Sequence, residues 1–169
     1  MGTMTLDEFR GHCNEWFGDF TVTCGDWQQI ATPSLNSSGR GDRSGGAVVA
    51  VERTASDTST AWAATQTGRV FISKNVDADP AAAVTWTRLD SLASNDPNRF
   101  VSGIHVDPAN SNRAWISYSG FSASTPAAPG HVFLVTYNPG AGTATWTDLS
   151  YDLGDILENQ PSVGLAVGQ

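Results

Sequence analysis

An all-β chain built from tandem four-stranded antiparallel sheets is predicted by three features of this 169-residue sequence. Charged residues make up only 15% while glycine numbers 17, a balance that suits many short strands and turns and suits a helical bundle poorly. Short segments rich in Val, Ile, Thr, Trp and Phe are each bounded by turn residues, as at Asp107-Pro108-Ala109-Asn110 and Asn138-Pro139-Gly140. Those segments recur in one fixed order along the chain.

Tryptophan marks the recurrence. Trp27, Trp86 and Trp146 open WQQIA, WTRLD and WTDLS, at spacings of 59 and 60 residues. Ala61-Trp62 matches Ala114-Trp115, and Gly68-Arg69-Val70-Phe71 matches Gly130-His131-Val132-Phe133. Upstream of each set, AVVAVE (Ala47–Glu52) corresponds to VSGIHVD (Val101–Asp107), and again to VGLAV (Val163–Val167). Each unit therefore reads as an inner strand, an AW strand, a GxVF strand and a WT strand. One four-stranded sheet cannot bury both of its faces, so repeated sheets cover one another. Tandem units of this kind are the pattern of β-propeller blades. A sandwich would account for the short strands but not for AW, GxVF and WT in constant order. The predicted divisions are a partial blade and linker over 1–46, full blades over 47–92 and 93–151, and a linker with the first strand of a further blade over 152–169.

Composition also bounds the partners. The net charge is −8 and the nine cations are scattered, which disfavours nucleic acid and anionic membrane surfaces. No apolar run approaches the ~20 residues of a membrane span. Met1–Arg10 lacks a basic start followed by an apolar stretch, so no signal peptide is visible. With an exported type of composition, the chain is expected to be a segment of an extracellular or periplasmic protein. Two blades alone would leave apolar sheet faces bare, so the expected partners are the remaining blades of a longer chain or further copies of this one. Cys13 and Cys24 fall in a stretch that reads as two short strands joined by a turn, and they are a candidate disulfide. No cofactor and no metal site are expected: the two cysteines have only His12 nearby, and Asp77-Ala78-Asp79 lacks the alternating oxygen ligands of a calcium loop.

The fixed order of strands, the WT strand and the link VDPANSNRAWIS (Val106–Ser117) resemble the BNR or Asp-box class of propeller repeats. That class occurs in sialidases, sortilin-type receptor domains and xyloglucanase-type glycoside hydrolases. Its third strand ends in Ser/Thr-x-Asp-x-Gly-x-x-Trp. The box-like turns here are Ser73, Asp77 and Trp86 in the first blade, and Thr136, Asn138, Gly140 and Trp146 in the second. Both turns are longer than the compact box, and Asn138 replaces its Asp. The resemblance implies a propeller fold and, since boxes lie on the rim, carries little chemistry. Its sialidases use an arginine cluster, an acid and a tyrosine nucleophile with a glutamate partner. No Glu stands beside Tyr118, Tyr137 or Tyr151 in the sequence, and Arg99 and Arg113, which border an inner strand, read equally as surface turn positions.

No catalytic residue is therefore expected within this chain. The acids Asp148, Asp152, Asp155 and Glu158 read as a solvated inter-blade run, and Arg40-Gly41-Asp42 as part of a Gly/Ser loop. Four of the six tryptophans fall at repeated positions and Trp27 joins the WT series, so these read as packing residues. Candidate ligand contacts are Trp16, outside the repeated set, His105, on an inner strand, and Phe121, in the insertion Ser119–Pro129. The expected function is a non-catalytic scaffold or ligand-binding segment, with carbohydrate or peptide as ligand. The alternative is a fragment of a sialidase-like glycoside hydrolase whose catalytic residues lie in other blades.

Overall fold

The computed structural model describes residues 46–120 and 125–150, with Ile30 and Leu35 besides. Trp16, Cys13, Cys24 and Phe121 lie outside the described residues, as do nearly all of 1–46 and all of 152–169. The chain is all-β. Strands β1 (Val48–Thr54), β2 (Asp57–Thr65), β3 (Val70–Ser73) and β4 (Thr87–Arg88) form one sheet. Strands β5 (Val101–Val106), β6 (Arg113–Tyr118), β7 (Val132–Asn138) and β8 (Thr143–Asp148) form the other. Each sheet follows chain order with antiparallel neighbours, and neither closes on itself. Both belong to one compact unit. Among the described residues no helix is long and apolar enough to cross a membrane.

Local sequence explains the strands. In β7 the period of two is plain: Phe133, Val135 and Tyr137 are buried, while Val132 and Leu134 are partly exposed and Thr136 and Asn138 are exposed. The link Asp107–Asn112 turns because Asp107 caps it: its Oδ1 accepts from the Ala109 amide (2.8 Å) and its carbonyl from the Asn110 amide (3.1 Å). In β8, Trp146 faces inward and is only 8% exposed.

The two sheets share one register. Trp62 pairs with Glu52 and Ile72, and Trp115 with His105 and Leu134. Ala61 pairs with Ser73, and Ala114 with Val135. The first strand of each sheet slips at the same place, between Val48 and Ala50 and between Val101 and Gly103. The loops repeat as well. Thr65 donates to the Arg69 carbonyl (2.9 Å) as Tyr118 does to that of His131 (2.8 Å), and Gln66 to that of Ala47 as Ser119 to that of Phe100 (both 2.9 Å). After each fourth strand, the amides of Leu89 and Leu149 donate to the carbonyls of Val70 and Val132 (both 2.8 Å). A side-chain oxygen one residue later, from Asp90 or Ser150, then caps the first amide of β3 or β7 (2.8 and 3.0 Å).

That register decides what packs on what. The face of the first sheet bearing Trp62, Ala64, Val70 and Ile72 forms one core with Val106, Ile116, Phe133, Val135 and Trp146 of the second. β5 lies against β1 and β2. Aromatic edges fill the centre: Phe133 meets Tyr118 and Trp146 edge-on, with centroids 5.7 and 6.0 Å apart. Glycine is required at the end of the sheets. At Gly68, with φ of 93°, a Cβ would stand 2.8 Å from the Arg99 carbonyl oxygen. At Gly130, the matching position, a Cβ would run into the Asp148 carboxylate. The glycine of each GxVF motif thus lets a neighbouring segment approach.

Trp62 is fully buried, and its indole N–H donates to the Ser111 carbonyl (2.8 Å) in the other sheet. Trp62→Ala is expected to destabilise the chain by ~3–5 kcal/mol, measured by urea unfolding. A loss under ~1 kcal/mol would place the tryptophan outside the core.

Candidate functional site

Two polar clusters stand out from the apolar core. The first joins the sheets. Asp57 opens β2, and its carboxylate accepts from Ser59 Oγ (2.7 Å) and Thr60 Oγ1 (2.7 Å) within its own sheet and from Ser111 Oγ (2.6 Å) of the other. Lys74 reaches the same group, with its Nζ 3.4 Å from Asp57 Oδ2 and 3.3 Å from Ser111 Oγ. Ser56 Oγ donates to the Pro108 carbonyl (2.8 Å). The hydroxyl donors, Ser111 foremost, hold the Asp57 carboxyl well below the usual carboxylate range.

The second cluster lies where the linker after the first sheet meets the end of the second. Arg99 is 8% exposed, and its Nη2 donates to the Pro129 carbonyl (3.2 Å) and to that of Gly130. Tyr118 donates its hydroxyl to Asp96 Oδ1 (2.8 Å). Burial pushes Asp96 up to about 6 despite that hydrogen bond. Burial and the neighbouring Asp96 push the Tyr118 phenol well above its ordinary value, and burial lowers Arg99. Among the described residues, Arg99 Nε and Nη1 and Asp96 Oδ2 have no hydrogen-bond partner. His131 Nδ1 lies 3.2 Å from the Tyr118 carbonyl, which fixes its proton on Nδ1. Asp90 anchors the linker: Oδ1 accepts the Val70 amide and Oδ2 the Arg88 Nε (both 2.8 Å). The cluster brings an acid, a phenol and a guanidinium together at the end of β6, next to Pro129 and Gly130. Such groups recognise hydroxyl and carboxyl functions by hydrogen bonding.

The residues singled out in the sequence are dispersed. His105 is partly exposed on β5. Its ring stacks on Trp115 (6.0 Å between centroids), and its Nδ1 is 3.3 Å from Glu52 Oε1 of the first sheet. Ser73 is buried and pairs with Ala61, whereas Thr136 is exposed and pairs with Arg113, so the two do not share a register position. Asp77 and Gly140 lie in exposed turns, and Trp86 is partly buried. Two asparagines pin the box-like turns. Asn138 Oδ1 accepts from the amides of Gly140 (3.1 Å) and Ala141 (3.2 Å). Asn75, which the sequence reading does not select, accepts from the Thr85 amide (3.0 Å) and donates to the Ala83 carbonyl (2.9 Å). Asp96 goes unselected in the sequence, and Arg99, which reads there as a surface turn position, is instead buried, held by the Pro129 and Gly130 carbonyls. The available signal was Arg99 following Asp-Pro-Asn directly before an inner strand.

Among the described residues no group of three or more His, Cys, Asp or Glu is placed to hold a metal ion. Comparison with family models, curated proteins and solved structures found no match.

The two acids make opposite contributions to the pH profile. The folded-state value of Asp96 is raised above its unfolded value of ~3.9, so its stabilising contribution is full below pH ~4 and is lost as pH rises toward about 6. Asp57 is depressed, so its contribution is present above pH ~4 and is lost as pH falls below that. Chemical denaturation from pH 3 to 8 is expected to show Asp96→Asn removing the decline between pH 4 and 6. An unchanged decline would assign it to other groups.

Proposed function

We propose that this chain is a blade-bearing segment of an exported BNR-type β-propeller, a non-catalytic scaffold that presents a ligand site at the end of its sheets. One observation carries the reading: the central strand pairs of two four-stranded sheets share one register, and the sheets stack with opposite faces in contact. Translation of one unit onto the next is the logic of a repeat protein. The β6–β7 loop is longer than its β2–β3 counterpart, and loops on a rigid sheet are where ligands are contacted. Asp96, Arg99 and Tyr118 lie at its two ends, with Tyr118 closing β6 and Arg99 reaching Pro129 and Gly130, and suit a carbohydrate or peptide ligand bearing hydroxyl or carboxyl groups.

The hydrolase alternative requires carboxylates roughly 5–10 Å apart across an open cleft. Here the strongly perturbed acids are engaged inside hydrogen-bonded clusters, Asp57 between the sheets and Asp96 under Tyr118. The chain is expected to leave a panel of fluorogenic glycosides unhydrolysed. On glycan and peptide arrays it is expected to show binding that disappears when Ser119–Pro129 is shortened to the β2–β3 turn length. Glycoside turnover, or array binding indifferent to the loop, would contradict the assignment.

A further inference from the structure

We propose that Ser162–Val167 is the first strand of a third sheet and seats on the outer face of the second sheet, as β5 seats on the first. The inference rests on the stacked-repeat reading above and gives it a specific occupant. The receiving face is defined by register. Trp115, Leu134 and Val132 occupy the positions of Trp62, Ile72 and Val70. Trp62, Ile72 and Val70 are at most 1% exposed beneath the following sheet, whereas Trp115, Leu134 and Val132 are partly exposed. The same positions thus carry the same apolar character, covered in one sheet and bared in the other.

The occupant is defined by spacing and pattern. β5 begins eleven residues after Asp90, the cap of the first sheet, and Ser162 stands twelve residues after Ser150, the matching cap. Ser162-Val163-Gly164-Leu165-Ala166-Val167 then aligns without a gap on Val101-Ser102-Gly103-Ile104-His105-Val106. Gly164 falls at Gly103, the residue after the slip in register. Leu165 and Val167 fall at Ile104 and Val106, two of the three β5 residues that join the core; Ser162 falls at the third, Val101. Ala166 falls at His105, whose side chain meets Glu52 of the first sheet. Since His105 occupies the register position of Glu52, the third strand brings Ala166 beside His105.

The full chain carrying Cys13→Ser and Cys24→Ser, with either His105→Cys and Ala166→Cys or Glu52→Cys and His105→Cys, is treated with a short bis-maleimide. Both pairs are expected to link within one molecule, as located by peptide mapping. In the otherwise unaltered chain, Leu165→Asp is expected to lower the urea midpoint. A His105–Ala166 pair that fails to link, or links two molecules, while Glu52–His105 links internally, overturns the proposed seat and leaves the stacked repeat standing. An unchanged midpoint for Leu165→Asp also overturns it. Failure of both pairs to link counts against the stacked repeat itself.

Discussion

A turn of the second sheet gripping a buried tryptophan and an aspartate of the first is the contact on which the structure depends. The turn Asp107–Asn112 delivers two groups at once. The Ser111 carbonyl takes the Trp62 indole N–H, and the Ser111 hydroxyl reaches Asp57. A tryptophan buried with its N–H unsatisfied would forfeit part of what its apolar body contributes. Asp57 is partly exposed, and its hydroxyl donors hold it charged well below the usual carboxylate range. Its donors come from both sheets, so the junction is specific in register as well as apolar.

Much of the architecture was legible in the sequence because packing demands repeat. Ala61-Trp62 and Ala114-Trp115 sit at the same register, and the GxVF glycines both admit a close neighbour. Other features were hidden for physical reasons. Trp62 and Trp115 look alike in sequence, yet one is fully buried and the other partly exposed, since burial depends on what lies on each face. Ser73 and Thr136 both precede a turn and look equivalent, but strand pairing puts them on different register positions. Asn75 was obscured because its partners, Ala83 and Thr85, lie across an extended turn.

The candidate site was the least legible part. Asp96, Arg99, Tyr118 and Gly130 span more than thirty positions, and only the fold gathers them. No periodicity links them, because a linker, a strand end and a loop contribute one or two groups each. The perturbation of Asp96 arises from burial, which composition does not report. The same arrangement ties the proposed ligand site to the stacking of the sheets. Arg99 leads directly into β5, which lies against the first sheet, and its carbonyl stands against Gly68 while its guanidinium reaches Pro129 and Gly130.

The most direct test of this account is a double-mutant cycle between Asp57→Ala and Ser111→Ala, measured by urea unfolding at neutral pH. The account predicts a coupling energy of ~1 kcal/mol or more, as for a charge-assisted hydrogen bond bridging two packed elements. Additivity within ~0.5 kcal/mol would contradict it, because the turn would then not hold the two sheets together.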